Sequence, residues 1–370
     1  MNDENEELSI LDEEQEEDFN AKMSKKEVKK SKEKNKKSKK EKKKMPWYTK
    51  LLIVVDVFAI AGFFFMYGPV RVVRDFYVSS ALTSMTHRYL AYVFYTPAKV
   101  KEIASENTVI ESDEDSDTSA IKITEIKDDG VYESVYEEQI LKKDPNNDVF
   151  KLITIKEKTY TAYITVVYDP SRVHLVSASN LSSGGQRVTE MAKKHKALVA
   201  INGGSAKIRN HALIPRGIYI QDGKVLFDSG DREKLIAFNN DNILVLAKMN
   251  SKEAKARGIR DAVWFQPYLI VNGVPSKFKG DGGYGNRPRT AIGQRQDGIV
   301  LFVTVDGKTG LNGTTMKELT KIFVRYKAYN AANLDGGGST TLVVNGKLIN
   351  DPTGWQQTNA RHVANAWIVK

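Results

Sequence analysis

The sequence of 370 residues contains no cysteine, which excludes disulfide frameworks, thiolate nucleophiles, zinc fingers and iron–sulfur clusters. It also contains no P-loop and no GxSxG nucleophile turn, and none of its five histidines lies in an HExxH motif. The best-known nucleotide, serine and zinc hydrolase signatures are therefore absent. Apolar residues nevertheless make up 41% of the chain, which is enough for a folded core.

Charge is distributed unevenly along the chain. Residues 1–20 carry a net charge of −10, residues 21–50 carry +12, and the remaining residues carry +8. Residues 1–46 contain too few apolar side chains to offset the entropy of ordering, so we predict a disordered, cytoplasmic, acidic and lysine-rich tail. No aromatic residues interleave the lysine run, which disfavours nucleic acid as its partner and favours attraction to anionic lipid.

Residues 47–70 are predicted to form one transmembrane helix. The apolar run at 51–70, LLIVVDVFAIAGFFFMYGPV, would span about 30 Å as a helix, which is the thickness of the hydrocarbon core of a bilayer. Eight lysines lie between residues 36 and 50, whereas residues 71–90 contain three arginines and no lysine. The positive-inside rule therefore predicts a cytoplasmic N-terminus and an exported C-terminal part. A cleaved signal peptide is less consistent with the length of the run.

The exported part is predicted to contain a helical stalk and linker at 71–150 and one α+β domain at 151–370, rich in strands and with few helices. Strands are expected at 160–168, 173–178 and 197–201, because β-branched and aromatic residues dominate there. Thr96 followed by Pro97 predicts the start of a helix in the stalk. The best helix in the domain is 315–326, where Thr315 and Glu318 fit a capping box.

The strongest candidate for a functional loop follows a predicted strand that ends at Leu334. There Asp335 precedes three consecutive glycines and Ser339, and a hairpin with an Asn-Gly turn comes after them. Three glycines are costly unless the backbone needs positive φ or a close approach, and their amides can bind an anion. A tight turn between two strands is the alternative interpretation. We predict that Asp335, Gly336, Gly337, Gly338 and Ser339 form part of the site.

Four further segments are candidates for the same site. The first is a glycine loop at 201–205, after a buried apolar strand, and the second is a glycine-rich stretch at 280–293 that leads into a strand. The third is the carboxylate at the end of the strand 300–305, and the fourth is the arginine before the last strand. Their candidate residues are Asn202, Gly203, Gly204, Arg289, Thr290, Asp306 and Arg361. For Asp306 a plain Asp-Gly turn is an equal alternative, and for Arg289 a structural ion pair is the alternative.

Several sequence blocks together resemble a known family. They are INGG at 201–204, PRGIYIQDGKVL at 215–226, PRTAIGQR at 288–295, VLFVTVDG at 300–307, NAANLDGGGSTTLVVNG at 330–346 and RHVANAWIV at 361–369. In this order they are similar to the phosphodiester glycosidase domain, and the likeness covers roughly residues 150–370. One departure is Ser205, where many members carry an aromatic residue. The tail, the span and the exported domain are similar in layout to bacterial membrane members described as exopolysaccharide biosynthesis proteins.

The resemblance implies hydrolysis of a glycosyl phosphodiester at the anomeric C–O bond. For that chemistry Asp335 and Asp306 are the candidate catalytic carboxylates, Asp335 before Asp306, and Arg289 and the amides of Gly336–Gly338 are the candidate phosphate ligands. The expected partners are an anionic glycan or glycosyl phosphodiester of the bacterial cell envelope and the membrane, with no nucleic acid. No cofactor follows from the sequence, and a divalent cation at the carboxylates stays open. The rival hypothesis is a non-catalytic, membrane-anchored module that binds anionic polysaccharide.

Overall fold

A computed structural model describes residues 20–32, 45–69, 71–84, 87–125, 128, 130–307, 313–351 and 361–370. The chain divides into two units, Met1–Gly68 and Pro69–Lys370. In the first unit, residues 20–32 form helix α1, in which every side chain is exposed. This stretch differs from the disordered tail predicted for 1–46, because its lysine, alanine, methionine and glutamate residues are strong helix formers. The rest of that tail, apart from 45–46, lies outside the described residues.

Helix α2, Trp47–Tyr67, is 21 residues long and has no buried residue. By length and composition it could cross a membrane. Of the predicted span at 47–70, the described part therefore contains a continuous helix that ends at Tyr67. The remaining helices lie in the second unit. They are α3 (Arg71–Leu82), α4 (Pro97–Glu106), α5 (Val135–Leu141), α6 (Val188–His195), α7 (Ser251–Ala256) and α8 (Met316–Arg325), with short 3₁₀ turns at Arg88–Tyr92, Thr118–Ala120, Pro170–Arg172, Leu181–Ser183 and Gly337–Ser339.

The second unit is built on three antiparallel sheets. The largest has seven strands. In spatial order they are β14 (Val274–Pro275), β13 (Tyr268–Val271), β18 (Ala328–Asn333), β16 (Arg289–Arg295), β17 (Val300–Gly307), β3 (Tyr160–Val167) and β2 (Phe150–Lys156). The predicted mixture of many strands and few helices is confirmed.

Two five-stranded sheets accompany the large one. The first contains β20 (Lys347–Leu348), β19 (Leu342–Val344), β5 (Val199–Asn202), β21 (Asn365–Val369) and β4 (Val173–Ser177). The second contains β11 (Leu244–Met249), β10 (Glu233–Asn239), β12 (Ile259–Trp264), β8 (Ile218–Gln221) and β9 (Lys224–Asp228). Two-stranded pairs are formed by β1 (Thr108–Ile110) with β15 (Lys277–Lys279) and by β6 (Ala206–Arg209) with β7 (Ala212–Pro215).

The main core lies where the three sheets meet. Phe302 of the seven-stranded sheet, Trp367 of one five-stranded sheet and Phe238 of the other belong to one cluster of fully buried side chains. The rings of Phe238 and Trp367 meet edge to face with their centroids 5.5 Å apart. Burial of such large rings supplies much of the hydrophobic stabilisation, so the three sheets fold as one unit.

The other face of the seven-stranded sheet is covered by α8. The helix begins at Thr315, whose side chain accepts a hydrogen bond from the Glu318 amide, and the predicted capping box is confirmed. Met316, Leu319 and Phe323 of α8 are buried against the sheet in a second core. Because β16 and β18 lie side by side under this helix, the ends of both strands are fixed.

The segment predicted as a stalk and linker at 71–150 packs on the domain instead of standing apart from it. The α4 start at Thr96 and Pro97 is confirmed, but Val100 and Ile103 of that helix are buried. Strand β1 pairs with β15, and Ile140 lies in the core beneath the large sheet. The boundary expected at residue 151 is therefore wrong, since the compact unit begins at Pro69. The β1–β15 pairing joins residues as distant in sequence as Thr108 and Lys279, and such a contact leaves no local pattern in the sequence.

Candidate active site

Three strand ends converge at the predicted functional loop. Strand β18 leads to Leu334 and Asp335, β16 begins at Arg289, and β5 ends at Asn202. The Leu334 amide donates to the Thr290 carbonyl at 2.8 Å, and the Asp335 amide donates to the Gly203 carbonyl at 3.1 Å. The predicted LDGGGS, INGG and PRT segments are therefore neighbours, although they lie far apart in the sequence.

Asn202 links these three segments. Its Nδ2 donates to the Asp335 carbonyl at 2.6 Å. Its Oδ1 accepts from the Thr290 hydroxyl at 2.7 Å and from the Thr341 amide at 3.1 Å. The side chain is fully buried, so its polar atoms are used inside the protein. Asn202 and Thr290, which were predicted to bind substrate, instead position the loop that carries Asp335.

The Asp335 carboxyl is half-buried at the centre of this arrangement. Its Oδ1 accepts a hydrogen bond from the Gly336 amide at 3.1 Å. Burial raises the pKa of Asp335, while the Ser339 hydroxyl, Arg361, the Gly336 amide and Arg216 lower it in part. The charges of Arg216 and Arg361 therefore act on the Asp335 carboxyl, and Ser339 and Arg361, two of the predicted site residues, belong to its electrostatic environment. The two guanidinium groups can stabilise a negatively charged group of a ligand, and the Asp335 carboxyl can serve as an acid or a base.

The three glycines after Asp335 have different surroundings. The Gly336 amide donates to Asp335 and the Gly337 amide donates to the Pro288 carbonyl at 2.8 Å. A Cβ on Gly336 would lie 2.8 Å from that same carbonyl, and Gly337 has φ of +60°. Gly338 is exposed and has open space around its Cα. The expectation of a three-amide anion cradle is therefore wrong for Gly336 and Gly337, whose amides are already bonded.

The INGG loop is likewise closed by internal hydrogen bonds. The Gly203 amide donates to the Asn365 carbonyl at 3.1 Å, and the Gly204 amide donates to Asn365 Oδ1 at 2.8 Å. A Cβ on Gly203 would overlap the Asn365 side chain. These two glycines therefore permit close packing of β5 on β21, and their predicted role in binding substrate through free amides is not what the geometry supports.

Arg289 is almost completely buried, with 5% of its surface exposed. Its Nε donates to the Thr314 carbonyl at 3.2 Å, and its Nη2 donates to the carbonyls of Tyr284 and Gly285, each at 2.7 Å. Burial lowers the pKa of Arg289 to about 9. The prediction that its guanidinium grips phosphate is therefore not supported. Arg289 instead holds the glycine-rich 280–288 loop against the start of β16.

Asp306 belongs to a separate hydrogen-bond network. Its Oδ1 accepts from Asn350 Nδ2 at 2.8 Å and its Oδ2 from the Asp351 amide at 2.5 Å. Asn350 also donates to the Thr340 carbonyl at 3.0 Å, which ties Asp306 to the strand after the Asp335 loop. Burial raises the pKa of Asp306 to about 6. Because both oxygens are occupied, the geometry favours a structural role and corrects the prediction of a catalytic one.

Arg216 is the site residue that the sequence reasoning missed. Its charge lowers the pKa of Asp335, and its buried Nε has no hydrogen-bond partner among the described residues. The Arg216 amide donates to the Ser205 carbonyl at 3.0 Å, so Arg216 lies beside the end of the INGG loop. The next residue, Gly217, has φ of +67° and lies against the Trp264 ring. In the sequence, the feature that indicates this residue is its position between Pro215 and a glycine that needs positive φ.

Metal binding has little support in the part of the chain that the structure describes. Those residues contain no group of three or more histidine, aspartate or glutamate side chains placed to hold an ion. Asp335 and Asp306 also lie in different hydrogen-bond networks. The two predicted carboxylates are thus not arranged as a shared ligand set.

Comparisons with known proteins agree with this fold and this set of loops. Residues 195–370 match the family model described as phosphodiester glycosidase. The SPbeta prophage-derived uncharacterized protein YomE of Bacillus subtilis (strain 168) is 29% identical over 178 residues, which is 45% of this chain and 27% of that protein. The Bos taurus N-acetylglucosamine-1-phosphodiester alpha-N-acetylglucosaminidase is 39% identical over 71 residues, which is 19% of this chain and 14% of the enzyme.

A solved structure resembles the fold. The zebrafish N-acetylglucosamine-1-phosphodiester alpha-N-acetylglucosaminidase catalytic domain, auto-inhibited by its pro-peptide, aligns with a TM-score of 0.51 and 23% identity over 61% of this chain and 85% of that chain. This likeness concerns the fold, in which strands predominate over helices. The match to the phosphodiester glycosidase family model lies in the C-terminal part of the chain. The chain spans 27% and 14% of the two curated relatives named above.

Proposed function

We propose that the protein hydrolyses a sugar-1-phosphodiester at the anomeric C–O bond, releasing the free sugar and a phosphomonoester. The observation that carries the proposal is the half-buried Asp335 carboxyl, which lies under the influence of Arg216 and Arg361. One anionic group and two cationic groups suit a substrate whose reacting bond joins a sugar to a phosphate. The family match at 195–370 supports the same reaction class.

The phosphate side of the reaction is assigned to the two arginines. A phosphomonoester leaving group is a weak base with a second pKa of about 6, so it needs little proton transfer as the bond breaks. It does need positive charge to stabilise the developing dianion. Arg216 has a buried Nε with no partner among the described residues, and Arg361 is exposed beside the same carboxyl. These two replace Arg289 as the phosphate ligands.

The sugar side is assigned to Asp335. An ionised carboxylate stabilises positive charge on the anomeric carbon or activates a water for attack on it. The amide and carbonyl of Asp335 are fixed by Gly203 and Asn202, so its side chain has a defined position. The partly buried Trp264, next to Gly217, offers an aromatic surface at the edge of the same loops. The relatives' names suggest N-acetylglucosamine as the first sugar to test.

The cellular setting follows from the N-terminal part of the chain. A lysine-rich segment followed by the apolar helix α2 supports single-pass anchoring with the catalytic unit outside a bacterial cell membrane. Phosphodiester-linked envelope polymers, such as teichoic-acid-like or exopolysaccharide chains, would then be the accessible substrates. A module that binds anionic polysaccharide without cleaving it is the second candidate, favoured by the two arginines alone.

The reaction is tested with a synthetic N-acetylglucosamine-1-phosphodiester in water enriched in ¹⁸O. We expect free sugar and a phosphomonoester without ¹⁸O, since attack at carbon leaves the phosphate oxygens unchanged. Asp335→Asn should lower kcat by about 10²–10⁴-fold, the range for a positioned acid–base or nucleophilic group. Asp231→Asn, on an exposed loop, is the matched control and should retain full activity.

Each alternative gives a different result in that experiment. Incorporation of ¹⁸O into the phosphomonoester would show P–O cleavage and overturn the proposed bond. Full turnover by Asp335→Asn would overturn the assignment of the catalytic carboxyl. Saturable binding of the phosphodiester without release of sugar by the unmodified protein would favour the binding module.

A further inference from the structure

An exposed apolar surface lies at the beginning of the second unit, outside the catalytic loops. It is formed by α3 and by the 3₁₀ turn at Arg88–Tyr92 with the residue that follows it. We call it the juxtamembrane patch, and its members are Val72, Val73, Phe76, Tyr89, Tyr92 and Val93. Val72 is 76% exposed and Tyr89 is 62% exposed. Clustered exposure of this kind marks a binding surface more often than scattered apolar residues do.

The patch is part of a defined structure. The Tyr77 hydroxyl donates to the Leu90 carbonyl at 2.7 Å, which joins α3 to the 3₁₀ turn. On the opposite side of α3, Val78 and Ala81 are buried. Arg287 Nη2 also donates to the Ser80 carbonyl at 2.5 Å. The C-terminal end of α3 is thus fixed to the 280–288 loop, and the side chains of Val72, Val73 and Phe76, nearer its N-terminal end, are left exposed.

Chain connectivity limits what can cover the patch. Helix α2 ends at Tyr67, and Val72 follows five residues later. Five extended residues reach at most about 17–18 Å, so an embedded α2 keeps Val72 near the membrane surface. Tyrosines and aliphatic side chains are typical of the interfacial zone, where rings contact lipid tails and hydroxyls contact water. Arg88 and Arg71 flank the patch; Arg71 is paired with Glu106 at 3.5 Å, and the exposed Arg88 can meet a lipid phosphate.

We propose that the juxtamembrane patch inserts into the outer interfacial layer of the bilayer and holds the catalytic unit against the membrane surface. The proposal rests on α2 being a membrane span, but not on the identity of the reaction. An apolar face of this type lies about 5–10 Å into the headgroup and acyl boundary, parallel to the membrane plane. The unit would then be attached at two points, the span and the patch.

The absence of cysteine makes a direct test simple, because a single introduced cysteine can be labelled without removing others. The full chain carrying Val93→Cys is labelled with an environment-sensitive fluorophore and reconstituted into phosphatidylcholine vesicles. Quenching is measured with lipids that carry a nitroxide on the acyl chain and with aqueous iodide. Val225→Cys, an exposed valine of β9, is the matched control.

We expect strong quenching by the nitroxide lipids and weak quenching by iodide at position 93, and the reverse at position 225. Adding Val72→Glu should move the label at position 93 from the lipid to the aqueous quencher, since a carboxylate opposes insertion of the apolar face. Equal accessibility to iodide at both positions would overturn the proposal. Shielding from both quenchers would also overturn it, because it would indicate a protein partner or a second copy of the chain. Lipid quenching that appears only with added phosphatidylglycerol would overturn it as well, because it would indicate charge attraction alone.

Discussion

Two arginines near the loop that carries Asp335 differ in what surrounds them. Arg289 is buried and bonded to three backbone carbonyls, whereas Arg216 presents a buried Nε without a partner among the described residues. Side chains of the same chemical type thus have a structural role in one case and a proposed binding role in the other. The distinction depends on which groups the fold brings to each guanidinium.

Substitution of each arginine should therefore have a different effect. Arg216→Ala should remove about 2.7–4 kcal/mol of transition-state stabilisation on a sugar phosphodiester, comparable to losing one oxyanion donor, with little change in Tm. Arg216→Lys should recover only part, because an ammonium lacks the planar fork. Arg289→Ala should lower Tm by several degrees, since each buried carbonyl left without a donor costs about 1–3 kcal/mol.

The measurements are kcat/KM for the phosphodiester and for an aryl glycoside without phosphate, together with thermal unfolding of each variant. Arg216→Ala should affect the phosphodiester and leave any slow turnover of the aryl glycoside nearly unchanged. An equal loss on both substrates would show that Arg216 does not serve the phosphate. An unchanged Tm in Arg289→Ala would contradict its structural role.

Asp306 is expected to make stability depend on pH. Its pKa is raised from 3.8 to about 6 by burial, so the folded state binds the proton more tightly than the unfolded state does. That contribution is fully present below about pH 4 and is lost as the pH rises through about 6. One pKa unit corresponds to about 1.4 kcal/mol, so the loss is at most about 3 kcal/mol.

Urea unfolding of the full chain in detergent, from pH 4 to pH 7, measures this effect against Asp306→Asn. Relative to Asp306→Asn, the free energy of unfolding of the unmodified protein should fall as the pH rises from 4 to 7. Parallel stability curves would show that Asp306 does not titrate in this range. The pH dependence of kcat should reflect the titration of Asp335 and not that of Asp306.

At the scale of elements, local patterns in the sequence predict several of the strands and helices of the domain. The capping box at Thr315, the start of α4 at Thr96 and the Asn-Gly turn of the β19–β20 hairpin are all found. These features depend on neighbouring residues, whose spacing is visible in the sequence. The glycine loop with Asp335 was found for the same reason.

Long-range contacts were not predictable in the same way. The carbonyls that Arg289 contacts belong to residues 284, 285 and 314, and nothing in the PRT segment specifies them. The acidic and irregular composition of the segment at 71–150 predicts a stalk and gives no sign of contacts such as that of the Glu111 carboxylate, which accepts from the Tyr268 amide at 2.7 Å. Burial of a polar side chain by a distant element leaves no periodic signal in the sequence.

Those contacts predict the result of truncating the chain. A fragment starting at Pro69 keeps α3, α4 and β1, whereas one starting at Lys127 removes them. The shorter fragment loses the Glu111 hydrogen bond to Tyr268 and the pairing of Ser116 with Leu246. It also exposes apolar surface that Ile103 covers. We expect the longer fragment to be soluble and the shorter one to unfold at lower temperature or to aggregate.

Thermal unfolding and size-exclusion chromatography of the two fragments provide the comparison. A third fragment that starts at Arg88 removes α3 alone and separates the contribution of α3 from that of α4 and β1. Equal Tm values for the fragments starting at Pro69 and Lys127 would show that residues 69–126 are dispensable for the fold. That result would restore the interpretation of this segment as a linker.

At the scale of the whole molecule, the chain combines a lysine-rich segment, an apolar helix and the compact second unit in that order. Eight lysines lie within the fifteen residues at 36–50, and the twenty residues after Val70 contain three arginines. This asymmetry favours retention of the N-terminal side in the cytoplasm. The opposite orientation would require transfer of the lysine cluster across the membrane.

Protease added to intact cells therefore should digest the second unit and spare the tail. Tags at the two ends follow the fragments, and a protected product of the tail with α2 is expected in place of the full chain. The same treatment after the cells are made permeable should remove the N-terminal tag as well, which shows that this tag is itself sensitive. Protection of the C-terminal tag in intact cells would contradict export, and the proposed envelope substrates would then be out of reach even if the purified protein cleaves a glycosyl phosphodiester.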